Sequence, residues 1–141
     1  MAGIAEVLGD KRTIKKKIRS RFDLMEMSKA GITKDALRHL AKYLSLSASQ
    51  LSELLPVSER TILRYTSKKP FNRMVSEQIL QIAEVVAKGL EIFEDKEKFI
   101  SWMHSPVKSL ANQTPLSLLS SRFGMEMVLD ELGRIEYGVY S

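Results

Sequence analysis

Apolar side chains recur at spacings of three and four along most of the chain, the mark of helices with one buried face. Behind a capping Thr33, Leu37, Leu40, Ala41 and Leu44 share a face and predict a helix to about Leu44. Ser47 and Gln50 stand in capping-box positions ahead of Leu51, Leu54 and Leu55, and Pro56 stops that helix. Ser58 then caps SERTILRYT, in which Ile62 and Tyr65 lie one turn apart. The longest stripe, Val75, Ile79, Ile82, Ala83, Val86, Leu90 and Phe93, predicts a core helix over about 74–94. Gly89 inside it costs about 1 kcal/mol against alanine, which points to a close packing partner. Asp95 caps KEKFISWMH, with Trp102 as a core anchor, and His104-Ser105-Pro106 ends it. Thr114-Pro115 opens a helix through Leu119, Phe123-Gly124 breaks it, and a last helix over about 125–137 turns Met125, Val128, Leu129, Leu132 and Ile135 inward. No stretch alternates as a strand would. The fold class is all-α, with seven or eight helices.

Two short helices joined by a break of three or four residues at Pro56-Val57 match a helix-turn-helix, although many such motifs carry glycine at the turn. In that motif the second helix enters the major groove with its first residues on the base edges. Here these are Ser58, Glu59, Arg60 and Thr61, with Arg64 one turn on. Lys68 and Lys69, in the loop that Pro70 holds out of helix, are placed to touch phosphate. A helical hairpin with solvated arginines, and a merely solubilising loop, fit the same residues.

Charge separates these readings. The net charge is +5, but residues 1–73 carry +9 and residues 74–141 carry −4. The basic half contains the helix-turn-helix and suits a polyanion through counterion release. Residues 1–30 add Ile4, Val7 and Leu8, then KRTIKKKIRSRF, with seven basic residues between Lys11 and Arg21 and with Ile14, Ile18 and Phe22 four apart. A basic amphipathic helix and a solvated arm both fit this segment.

The chain holds no cysteine, which excludes disulfides, thiolate metal sites and a cysteine nucleophile. His39 and His104 stand far apart, without carboxylates at ligand spacing and without a phosphate-cradling glycine loop. No catalytic residue, metal or cofactor is expected. With no apolar run near 18 residues and no secretory leader, no membrane partner is expected and the expected compartment is the cytoplasm.

From Trp102 onward the chain resembles the C-terminal toxin-binding domain of the Xre/MbcA/ParS antitoxins. The elements that carry the resemblance are Trp102, Pro106, Pro115-Leu116-Ser117-Leu118-Leu119, Gly124, Val128, Leu132, Arg134-Ile135 and Gly138. Where that family has a glycine pair, this chain has Leu110-Ala111-Asn112, and Asn112 tolerates the left-handed turn. Beyond the basic N-terminal segment over 1–30, the resemblance implies an Xre-like helix-turn-helix domain over 31–94 and a small helical toxin-binding domain over 95–141. It implies an antitoxin that binds its own promoter DNA and blocks the active site of a RES-domain toxin, which consumes NAD or transfers its ADP-ribose. On that reading the toxin-binding residues are Arg134, Glu136, Tyr137, Gly138, Val139, Tyr140 and Ser141 at the chain's end. A homodimer, or a higher hetero-oligomer with the toxin, is the expected assembly, since one short recognition helix reads few bases. The competing reading is a stand-alone helix-turn-helix repressor with a helical effector or dimerisation domain.

Overall fold

Local capping sets most of the helix boundaries. The computed structural model describes residues 3–10, 14 and 17–138. Among them lie eight α-helices: α1 (Ile4–Val7), α2 (Arg21–Ala30), α3 (Lys34–Leu44), α4 (Ala48–Leu54), α5 (Glu59–Arg64), α6 (Arg73–Phe93), α7 (Lys96–Met103) and α8 (Arg122–Glu136). Two 3₁₀ turns, Lys108–Leu110 and Leu116–Ser120, lie between α7 and α8. The described residues form no strand beyond two isolated bridges, Thr33 with Pro70 and Val107 with Gln113. Two compact units, Met1–Glu84 and Val85–Ser141, make up the chain, and the division falls inside α6.

In the first unit Thr33 accepts from the Ala36 amide, and Leu37, Leu40, Ala41 and Leu44 are buried as their spacing predicts. The basic segment departs from one of its two expected forms. Ile14 and residues 17–19 are not helical, and α2 begins only at Arg21. Its boundary is set by a capping box, in which the Asp23 carboxylate accepts from the Ser20 amide at 3.1 Å. Lys11, Arg12, Lys15 and Lys16 lie outside the described residues. At the far side of the unit, Ser76 is fully buried; it accepts from the Ile32 amide at 2.8 Å and donates to the Phe71 carbonyl at 3.1 Å. That pair of hydrogen bonds ties the start of α6 to the entry of α3, leaving the buried Ser76 hydroxyl paired.

The second unit is built on two glycines against which other elements close. A methyl group on Gly89 would lie 2.1 Å from the Phe99 ring, so the close partner predicted for Gly89 is α7. Phe99 stacks with Trp102 at 6.3 Å, and Phe93 lies 5.5 Å from the same indole. Trp102 is half-buried rather than fully enclosed. Thr114 caps as expected, accepting from the Ser117 amide at 3.2 Å, but the turn it opens is 3₁₀ and not α-helical. Phe123-Gly124 is not a break. Ser121 accepts from the Gly124 amide and starts α8 at Arg122, three residues earlier than predicted. Gly124 is needed because α8 presses on the preceding turn, where a methyl group would lie 1.9 Å from the Leu118 carbonyl oxygen.

Candidate functional site

Two sites follow from the sequence, one in each unit. The first is the pair α4 and α5. Ser47 accepts from the Gln50 amide at 3.2 Å while the Gln50 side chain accepts from the Ser47 amide at 2.9 Å, completing the capping box. Leu55 takes up extended backbone, as a residue ahead of proline must, and α4 stops at Leu54. Ser58 caps α5, accepting from the Thr61 amide at 3.1 Å, and its hydroxyl also donates to the Thr61 hydroxyl at 2.9 Å. The Gln78 side chain of α6 donates to the Leu54 carbonyl, fixing the end of α4.

On α5, Ile62 is buried and sets which face is inward. Ser58, Arg60 and Arg64 are exposed, while Glu59 and Thr61 are half-buried. Lys68 and Lys69 are both exposed. The Lys69 ammonium sits 5.2 Å from the centre of the Tyr65 ring, which stacks on Phe71 at 4.9 Å. Backbone bonds strap this loop to α3, the Lys34 amide donating to the Lys69 carbonyl and the Asp35 amide to the Ser67 carbonyl. The arrangement gathers Arg60, Arg64, Lys68 and Lys69 on one short stretch with a fixed backbone.

Two residues here escaped sequence reasoning. The Lys34 ammonium donates to the carbonyls of Tyr65, at 2.8 Å, and Leu63, at 3.3 Å, closing the C-terminal end of α5. Leu63 itself is 63% exposed, on the same half of the helix as Arg60 and Arg64. Its exposure was visible in the spacing, since it lies three residues after Arg60, on that residue's face of the helix. The Lys34 contact spans about thirty residues of chain and has no local signal. Beside these residues a groove of about 470 Å³ runs between α3, α4 and α5, with Lys34, Arg38, His39 and Lys42 in its lining.

The second site is the end of α8. Arg134 is exposed, and its guanidinium donates to the Glu131 carboxylate at 2.8 Å. Glu131 is 2% exposed and also accepts from the Ser109 hydroxyl at 2.6 Å, so Arg134 is held by a buried acid that sequence reasoning left unnoticed. Glu136 pairs with Lys88 at 3.6 Å. Tyr137 is 83% exposed, and Gly138 has a positive φ with nothing within 4 Å of where a side chain would start. Val139, Tyr140 and Ser141 lie outside the described residues. No group of three or more potential ligands among the described residues could hold a metal, and no described helix is long and apolar enough to cross a membrane.

Known families match both parts of the chain. Residues 23–84 match the antitoxin Xre-like helix-turn-helix domain, and residues 88–138 match the antitoxin Xre/MbcA/ParS C-terminal toxin-binding domain. The antitoxin Xre of Yersinia enterocolitica is 30% identical over 120 residues, covering 84% of this chain and 81% of that protein. The antitoxin Xre of Photorhabdus laumondii is 33% identical over 79 residues, covering 55% of this chain and 53% of that one. In fold, the chain is similar to one in the crystal structure of the M. tuberculosis MbcT–MbcA toxin–antitoxin complex. The TM-score is 0.56 at 18% identity, covering 88% of this chain and all of the other. These matches favour an antitoxin over a stand-alone repressor. The chain belongs to the Xre antitoxins, the antitoxins of toxin–antitoxin systems, with an Xre-like helix-turn-helix domain ahead of a toxin-binding domain.

Proposed function

We propose that this antitoxin neutralises a RES-domain toxin by placing its own C-terminal end in the toxin's NAD pocket. The observation that carries the reading is the exit of the chain from α8. The last buried turn holds Leu132, and the backbone then leaves with the Tyr137 ring in solvent and with free space where a side chain on Gly138 would start. An aromatic face with one polar tip, followed by a glycine that permits close backbone approach, is suited to entering a cleft. Arg134, Glu136, Tyr137, Gly138, Val139, Tyr140 and Ser141 are the residues assigned to that contact. Glu136 enters it from an ion pair with Lys88, half-exposed on both sides and thus cheap to exchange. The working division of the chain is a basic segment over 1–30, a DNA-binding domain over 31–94 and a toxin-binding domain over 95–141.

Promoter DNA is the second partner. Arg60 and Arg64 read base edges, the exposed Leu63 beside them is suited to a thymine methyl, and Lys68 and Lys69 hold phosphates. The assembly is a homodimer, or a larger hetero-oligomer with the toxin, which places two recognition helices on half-sites about one DNA turn apart.

Steady-state kinetics of the purified toxin test the plug. Full-length antitoxin inhibits, and raising the NAD concentration relieves the inhibition. Antitoxin lacking residues 137–141 does not inhibit. Inhibition by the full chain that is insensitive to NAD, or undiminished by the truncation, would overturn the assignment.

A further inference from the structure

One face of α8 remains unaccounted for by the packing of its unit. Gly124, Met125, Val128, Glu131 and Leu132 make up the buried face. The opposite strip runs through Phe123, Met127, Asp130, Arg134 and Tyr137, at steps of four, three, four and three residues, so all five lie along one line. Phe123 is 81% exposed, Met127 45% and Tyr137 83%. The strip is about 21 Å long at 1.5 Å per residue. A solvated helix face carries charge; this one carries two aromatic rings and a thioether around one acid and one arginine.

Single exposed apolar residues are ordinary, but an aligned series is the surface a partner covers. We infer that this strip is the docking ridge that seats the antitoxin on its toxin, the tail beyond Tyr137 being the part that inhibits. The inference rests on the reading of the C-terminal end as inhibitor. It is continuous with that element, since the strip ends at Tyr137, and it lies wholly within residues 88–138, the match to a toxin-binding domain. The fitting partner is a protein surface with an apolar groove for a helix of four turns, a pocket for the Phe123 ring and an acid opposite Arg134. Arg134 is prepared for such an acid. Its contact with buried Glu131, itself held by Ser109, fixes the guanidinium while leaving donors to spare.

The test is direct binding of the purified toxin to full-length antitoxin and its variants. Phe123→Ala with Met127→Ala should weaken binding by about 30-fold or more, the threshold of an interface hot spot. The thermal midpoint, promoter affinity and solution mass of the free antitoxin should not change. Phe123→Lys alone, on a ring that makes little internal contact, should give the same loss if the double variant melts early. The chain lacking residues 138–141, which keeps Tyr137 and so the whole strip, should still bind while failing to inhibit, which separates the ridge from the plug. Wild-type binding by the double variant overturns the ridge and leaves the plug standing. A change in the free antitoxin's solution mass without loss of toxin binding overturns it too, by assigning the strip to a second copy of this chain.

Discussion

At Gly124 a side chain would meet backbone, and backbone cannot step aside. Gly124→Ala should cost about 1–3 kcal/mol or more, the range for forcing a methylene into a packed site, because the group it meets is the Leu118 carbonyl. Ala111 presents the opposite case. It and Asn112 both adopt left-handed backbone, with φ of 57° and 61°, where alanine bears a cost that glycine does not. Ala111→Gly should stabilise the protein by about 0.5–1 kcal/mol, after the extra chain entropy of glycine is deducted. Urea unfolding of the two variants checks both signs, and an Ala111→Gly variant less stable than the parent would contradict the reading of that turn. These positions show how far single residues were legible. Asn112 announced its turn, and Gly89 announced a close neighbour. Gly124 was misread as a helix break, because the sequence gives no sign of the turn that α8 lies against. Glu131 was unreadable for the same reason, as its partner Ser109 is 22 residues away.

The elements of the helix-turn-helix were the most legible, because serine caps, a capping box and a proline stop act within three or four residues. Ser47, Pro56 and Ser58 placed α4 and α5 within a residue or two of their observed bounds. The strap of residues 67–71 onto α3, and the Lys34 bonds to the end of α5, were not legible, since both depend on how distant segments meet. In the basic segment the four-residue spacing of Ile14, Ile18 and Phe22 admitted a helix, but the capping box at Ser20 moved the helix start to Arg21. On this element the account makes quantitative predictions. Arg60→Ala should cost on the order of 1–3 kcal/mol of specific affinity if it reads a base edge. Binding of the parent protein to its promoter fragment should fall by about 10³-fold or more between 50 and 200 mM salt, given several phosphate contacts. Mobility shifts at two salt concentrations measure both. A doubly substituted Arg60→Ala, Arg64→Ala protein that binds its promoter unchanged would remove α5 from the interface.

For the whole molecule, the charge split and the two family matches divide the work in the same sense. The matched helix-turn-helix domain, residues 23–84, carries a net +2 and follows the most basic stretch, a net +5 over residues 1–22, whereas the matched toxin-binding domain, residues 88–138, carries a net −2. An acidic half would suit the NAD pocket proposed for the toxin and a basic half would suit the proposed promoter DNA, so on that proposal each charge favours its partner and disfavours the other. Two loss-of-function variants therefore fail in different ways. The most direct measurement follows growth, cellular NAD and promoter activity in cells that express the toxin with each variant of this chain. With residues 137–141 deleted, the account predicts growth arrest and NAD loss while the promoter stays repressed. With Arg60→Ala and Arg64→Ala, it predicts protected growth and a derepressed promoter. Normal growth and intact NAD beside an active toxin, with the tail removed, would contradict the claim that the C-terminal end is the inhibitor.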